Sequence, residues 1–347
     1  MKILSIGAFT SNGISNTCLH RTWALEKLGD VQRIDSTLIY NKLWYRIVNR
    51  LFVRYHLPIY FHNQSLNKKI IQQVLNEHYD IIWIDKGIFI EAKTLKRIKL
   101  LQPNCIIIGY SPDNMAKRHN QSQVFLDSFP YYDYYVTTKS YTINYLKLLG
   151  CSNILFVNNA YEDTFHYPYL LSEKERQRLG GKVGFIGAWE AERCQSILYL
   201  VQHNIPVRVW GGGKWLTYKG RYPNLIIENG GLYSEDYNKA LSAFDISLCF
   251  LRKMNLDQQT TRTMEIPACG SLLMAERTPE HEQLFQDGKE AVFFSNNEEL
   301  LERCQYYLSH EEERKKIAEA GRQRCLISGY SNYAVIKNIF RVIRNGK

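Results

Sequence analysis

Short runs of aliphatic and β-branched residues recur along this chain, each about as long as one buried strand and most followed by a segment with helical spacing. The first run is Lys2–Gly7, and a helix over 16–28 closes at Gly29. Further runs lie at Val31–Asp35, Ile81–Asp85, Cys105–Tyr110, Tyr134–Thr138 and Ile154–Val157, with helical stretches near 40–55, 64–78, 91–101, 121–128 and 139–149. Runs that are apolar throughout, rather than alternating, fit strands covered on both faces, which is the condition of a parallel sheet with helices above and below. The rhythm breaks from Asn158 to Gly181 and restarts at Lys182. Strands are then expected at Lys182–Ile186, Val207–Trp210, Leu225–Glu228, Ile246–Leu251, Ser271–Ala275 and Ala291–Phe294, and helices over 297–308, 311–325 and 331–344 close the chain. The pattern predicts an α/β protein of two doubly wound, Rossmann-like domains, 1–170 and 171–347. The last helix is expected to cross back onto the N-terminal domain. A length of 347 residues exceeds what one core normally serves and suits two. In such folds ligands meet the carboxyl ends of the strands, so a central cleft faced by both domains is the expected site.

Composition removes several classes. The longest apolar runs, such as Cys105–Gly109 and Ile246–Leu251, fall far short of the ~20 residues that cross a bilayer. The opening Met1–Gly7 reads as a buried strand rather than a leader, so a cytoplasmic protein is expected. The eight cysteines are scattered with no C-x-x-C pair, the pattern of reduced core thiols rather than disulfides or a zinc site. The net charge of +10 is uneven: no acidic residue stands between Asp35 and Glu77, while Lys42, Arg46, Arg50, Arg54, Lys68 and Lys69 do. Over 42–55, bases spaced by four run beside Leu43, Trp44, Ile47, Val48, Leu51 and Phe52. Such a helix either lies on an anionic membrane surface at the inner face of the membrane or packs its apolar side on its own sheet. Nucleic acid is not an expected partner, because the bases gather on one helix and no recognition module is present.

Four segments carry candidate chemistry. In Thr260–Gly270, a polar loop leads into a helix with Glu265 inside an apolar turn and small residues, Ala268 and Gly270, at its end. A carboxylate there needs a partner. A ribose diol would serve, and so would a structural base such as Arg262. Gly211, Gly212 and Gly213, followed by Lys214, end a strand where backbone can approach a nucleotide closely, or simply turn. Asp113, in a Pro-Asp-Asn turn at a strand end, and His119 beyond it are candidates for acceptor contact or base chemistry, with Asp85 and Lys86 on the preceding strand. The first loop, Ala8–Ser15 with Asn12 and Gly13, is expected to line the cleft. The sequence has no G-x-G-x-x-G, no P-loop, no D-x-D and no metal-ligand cluster, so no cofactor and no metal are expected.

The stretch TRTMEIPACGSLLMAERTPEHEQLFQDGKEAVFF, Thr261–Phe294, resembles the CgeB-like glycosyltransferases, a branch of the GT-B glycosyltransferases. The likeness extends upstream to Val183–Arg193 and, in the N-terminal half, to Trp83–Gly87, Tyr110–Asn114 and Thr137–Lys139. The resemblance implies a GT-B enzyme that takes a sugar from a nucleotide-diphosphate sugar and passes it to a glycan or lipid-linked acceptor, in surface polysaccharide or glycoconjugate assembly. It implies that Glu265 is the ribose-binding second Glu of an E-x7-E motif, with Asp257 where the first would stand. Arg193, after the Gly187 loop, then looks like the base that meets the diphosphate, and Arg262 and Gly270 join the donor set. The GT-B scaffold leaves two other functions open, a nucleotide-sugar epimerase and a catalytically silent binding or coat-associated protein.

Overall fold

The computed structural model describes residues 1–10, 16–37 and 42–345. Asn12 and Gly13 of the expected first loop lie outside them, as do the side chains of Lys42, Leu43, Trp44 and Arg46. The chain divides into two compact units.

The first unit comprises Met1–Asn158, Met254–Leu256 and Val335–Lys347. Its strands are β1 (Lys2–Gly7), β2 (Asp30–Asp35), β3 (Ile81–Asp85), β4 (Ile106–Ser111), β5 (Tyr134–Thr137) and β6 (Ile154–Phe156). They form one parallel sheet in the order β2-β1-β3-β4-β5-β6. The helices are α1 (Thr17–Glu26), α2 (Lys42–Tyr55), α3 (Gln64–Asn76), α4 (Ala92–Leu101), α5 (Gln123–Ser128) and α6 (Ile143–Leu148). Polar side chains fix where several begin: Asn16 Oδ1 accepts from the Leu19 N–H and Asn63 Oδ1 from that of Leu66, each satisfying a donor the first turn leaves over.

The second unit comprises Asn159–Lys253 and Asp257–Ala334. It opens with α7 (Glu173–Leu179), started by a reciprocal capping box between Ser172 and Glu175. Strands β7 (Gly181–Ile186), β8 (Val207–Trp210), β9 (Leu225–Ile227), β10 (Phe244–Cys249), β11 (Leu272–Glu276) and β12 (Val292–Phe294) follow, with α8 (Ala191–Gln202), α9 (Ser234–Ala243), α10 (Arg262–Ala268), α11 (Pro279–Leu284), α12 (Asn297–Ser309), α13 (Glu311–Ile327) and α14 (Asn332–Asn345). The sheet is parallel, in the order β12-β11-β10-β7-β8-β9. Successive strand residues feed two cores: Val183, Phe185, Ile246 and Leu248 enter one, while Ile186, Cys249, Leu273 and Phe293 enter the other. This two-sided burial is why these strands read as unbroken apolar runs. From Val335 on, α14 belongs to the first unit, where the Phe340 ring stands edge-on to Trp83 at 6.4 Å.

Both sheets have one position where the chain leaves neighbouring strands toward opposite edges: between β1 and β3 in the first, and between β7 and β10 in the second. The carboxyl ends of these strand pairs are where a doubly wound sheet opens a crevice. All eight cysteines are free thiols, seven of them buried. No helix among the described residues is long and apolar enough to cross a membrane.

Candidate functional site

In the second unit the switch point is lined by cations. The turn after β7 leads into α8, whose first turn carries Arg193, and the loop after β10 leads into α10, which begins at Arg262. Arg193 is buried, its Nη1 3.3 Å from the Ala188 carbonyl and 3.4 Å from Glu190. Burial lowers its pKa, Glu190 partly restores it, and the neighbouring charge of Arg262 lowers it again. The Nε of each guanidinium is buried with no hydrogen-bond acceptor among the described residues. The indole Nε1 of Trp189, in the turn after β7, and that of Trp210, ending β8, are likewise without an acceptor. Native interiors rarely leave buried donors unmade, because each costs about 1–3 kcal/mol. Of the four, Arg193 and Arg262 are charged and follow the neighbouring strands β7 and β10, so they could take an acceptor-rich, negatively charged group.

Glu265 lies one turn into α10 and is buried. Its Oε2 accepts a 2.5 Å hydrogen bond from the Tyr237 hydroxyl of α9. Burial, then the Glu265 charge, holds that phenol well above its ordinary pKa, so it remains a donor. Oε1 lies 3.7 Å from His166 Nε2, beyond hydrogen-bond range. Burial pushes the His166 pKa down to about 3, so the ring is neutral at working pH and is not an ion-pair partner. Burial works against the charge of Arg262, while Tyr237 and Glu265 favour it more strongly and raise its pKa. Arg193, Arg262, Tyr237 and Glu265 therefore form one electrostatically connected group.

The glycine turn beside it is tightly built. The Gly187 N–H donates to the Trp210 carbonyl at 3.0 Å, and Trp215 Nε1 donates to the Gly187 carbonyl at 3.1 Å. A Cβ on Gly211 would stand 2.2 Å from that carbonyl oxygen, so only glycine fits there. Gly212 has room for a side chain, and Gly213 adopts φ +69° with open space before it. Lys214 is exposed and holds its Nζ 4.5 Å over the Trp189 ring. Gly270, at φ +81°, closes α10. Asp257 is half-buried in the loop before α10, where its N–H donates to the Arg252 carbonyl at 3.3 Å. A groove of about 460 Å³ lies at the other, amino end of these strands, where Arg208 pairs with Glu228 and Lys182 with Asp245.

In the first unit, the remaining candidates have partners. Asp85 accepts two hydrogen bonds from the buried Arg21, at 2.6 and 3.0 Å, and Arg21 lies over the Tyr110 ring. Asp113 Oδ2 lies 2.6 Å from Lys86 Nζ, with both side chains partly exposed. His119 Nε2 is 3.2 Å from Asn255 Oδ1, and Asn114, Asn120 and Tyr141 also bond to Asn255. Asp113 and His119 thus sit in one loop after β4 but on different partners, and Asp257 belongs to the other unit.

The sequence reading missed Trp189, Trp210, Tyr237 and His166. Trp210 ends a strand at the sheet's carboxyl edge, which was a usable signal. Tyr237 lies 28 residues from Glu265 in an ordinary amphipathic helix, and nothing local marks it.

Residues 193–341 match the family model described as glycosyl transferase-like, a transferase domain that spans Arg193, Tyr237, Arg262 and Glu265. No curated protein matches the chain in sequence. Among solved structures, Anabaena HepE in complex with UDP and glucose is similar, with a TM-score of 0.65 and 14% identity over 99% of this chain and 100% of that one. Sucrose-phosphate synthase from Thermosynechococcus elongatus aligns at TM-score 0.63 and 12% identity, over 99% and 98% of the chains. The N-terminal domain of Candida albicans trehalose-6-phosphate phosphatase aligns at 0.66 and 12%, over 99% and 96%. At such identities the likeness is one of fold: two Rossmann-like units in the GT-B arrangement of strands and helices.

Proposed function

We propose that this protein is a metal-independent glycosyltransferase of the CgeB-like branch. It moves a sugar from a nucleotide-diphosphate donor to a glycan or lipid-linked acceptor in surface polysaccharide or glycoconjugate assembly. The observation that carries the reading is the pair of guanidinium groups, Arg193 and Arg262, which follow the neighbouring strands β7 and β10, repel each other and each keep a buried Nε–H unmade. Two cations that raise each other's energy in a poorly solvated place are what a diphosphate would stabilise. A planar guanidinium fork also matches phosphate oxygens.

In this reading the donor's diphosphate lies on Arg193 and Arg262, with Lys214 close by. Glu265 accepts the ribose hydroxyls, and Asp257 meets the donor sugar. As the glycosidic bond breaks, negative charge grows on the leaving diphosphate, and the fixed guanidinium groups stabilise it without reorganising. Asp113 and His119 of the first unit contact the acceptor. UDP is the first nucleotide to test, because HepE was solved with it.

Helix α2 supports recruitment to an anionic membrane surface. Phe52 is buried and its carbonyl accepts from Arg118, so part of the apolar side packs on the unit itself. Ile47, Arg50, Arg54, Tyr55 and Leu57 stay exposed, an apolar and cationic face in a window without acidic residues. Sedimentation with phosphatidylglycerol vesicles should carry the protein down at low salt and release it at high salt; no pelleting at low salt would end this part of the reading.

The transfer itself is tested by incubating the protein with UDP-glucose, UDP-N-acetylglucosamine or GDP-mannose and a lipid-linked acceptor extract. Acceptor-dependent release of nucleotide, unchanged by EDTA, is expected. A changed sugar from donor alone would instead identify an epimerase, and no turnover of any donor would favour a silent scaffold.

A further inference from the structure

The geometry points to Tyr237 as a positioning residue for the donor's ribose: by donating its hydroxyl to Glu265 Oε2, it fixes the carboxylate with Oε1 left to accept the sugar hydroxyls. This inference rests on the proposed ribose contact of Glu265.

A free carboxylate on a helix can rotate about its last bond, and either oxygen can accept. Here the rotation is stopped from a second element. Glu265 comes from α10 and Tyr237 from α9, and the 2.5 Å bond between them is short, as hydrogen bonds to an ionised group are. Oε2 is thereby committed. Oε1 faces His166, whose ring is itself fixed: Nδ1 accepts the Glu162 backbone N–H at 2.9 Å, which places the ring proton on Nε2. At 3.7 Å that N–H is too far to hold Oε1. His166 is also buried and neutral, so it does not draw the carboxylate into an ion pair. One oxygen is held and the other keeps its lone pairs, which is the arrangement that lets a buried carboxylate accept from an incoming hydroxyl without first breaking a bond. Glu265 is then both a structural anchor and a ligand group, one oxygen for each.

The test is discrimination against missing ribose hydroxyls. Binding of UDP, 2′-deoxy-UDP and 3′-deoxy-UDP is measured by calorimetry on wild type, Tyr237→Phe and Glu265→Ala, with the corresponding ADP and GDP sets alongside. Wild type should prefer the ribonucleotide by about tenfold or more, the low end for a hydrogen bond to a charged group. In Y237F that preference should fall below about threefold while affinity for the deoxy forms holds. If Y237F weakens ribo and deoxy forms by the same factor, the hydroxyl is merely structural and the inference fails. If E265A loses the preference and Y237F keeps it, the inference fails but the ribose contact stands. If E265A keeps it, or wild type has none, the ribose contact itself is wrong. Should Y237F not fold, a crystal structure of the wild-type UDP complex decides. Oε1, the oxygen not bonded to Tyr237, must lie about 2.5–2.8 Å from a ribose hydroxyl. A ribose on Oε2, or on neither oxygen, overturns the assignment.

Discussion

Replacing Arg193 with Met should leave the stability of the free protein little changed and abolish its response to nucleotide diphosphates. The side chain is buried, its Nε has no acceptor, and Arg262 adds to the desolvation that disfavours its charge. Met has similar length, carries no charge and adapts to irregular space. The substitution removes one unmade buried donor, a cost of about 1–3 kcal/mol. It also removes the 3.3 Å hydrogen bond to the Ala188 carbonyl, about 1 kcal/mol, and the 3.4 Å contact with the partly exposed Glu190, about 0–1 kcal/mol. The net change in the variant's stability lies between about −1 and +2 kcal/mol. At ~2–4 °C per kcal/mol for a unit of this size, Tm should fall by no more than ~4 °C and rise by no more than ~8 °C. Differential scanning calorimetry without ligand gives that number, and repeating the scan with UDP, ADP and GDP shows whether the ligand shift is gone. A variant that melts more than ~4 °C below wild type and still responds to nucleotide would refute the reasoning. Arg193 would then be a structural cation whose partner matters more than any ligand.

Three further outcomes follow from local geometry and burial. Gly211→Ala places a methyl 2.2 Å from a backbone oxygen that has no room to yield, so it should lower stability by about 1–3 kcal/mol or more and disturb nucleotide binding with it. Gly213→Ala meets open space and should cost only the left-handed backbone penalty, about 1–2 kcal/mol; equal melting points for the two variants would contradict the close approach of Gly187 and Gly211. His166 has a folded-state pKa of about 3, depressed by burial, against ~6.5 unfolded. Its contribution is therefore complete above pH ~6.5 and is lost as pH falls, about 2 kcal/mol between pH 6.5 and 5, so denaturant titrations of His166→Gln should show a flatter pH dependence there. Equal slopes in wild type and variant would show that the ring is not buried neutral.

The sheets were legible because parallel strands covered on both faces must be apolar almost throughout, and Ile81–Asp85, Ile106–Ser111 and Leu272–Glu276 announce themselves that way. Short irregular turns were not. The stretch expected as one helix from 139 starts as a 3₁₀ turn, Ser140–Thr142, before α6, and the glycine turn runs into another at Gly213–Tyr218. Both depend on tertiary contacts, as the Trp215 bond to Gly187 shows. In the candidate site, Arg193, Arg262 and Glu265 could be read from motif positions. Their grouping could not, because it comes from β7 and β10 lying side by side although two strands intervene in sequence. Tyr237 stayed invisible for the same reason: it acts on Glu265 from α9, whose own pattern is only that of a packed face.

A donor site in the second unit requires that it hold a nucleotide diphosphate on Arg193 and Arg262. Thermal unfolding with a panel of UDP, GDP, ADP, CMP and dTDP, on wild type and the Arg193→Met and Arg262→Ala variants, tests this most directly. A nucleotide at 100 times its Kd adds about 2.7 kcal/mol of stability, which wild type should show as a clear upward shift for one base and both variants should lose. No shift with any nucleotide, or a shift that survives in both variants, would contradict the assignment of the donor site.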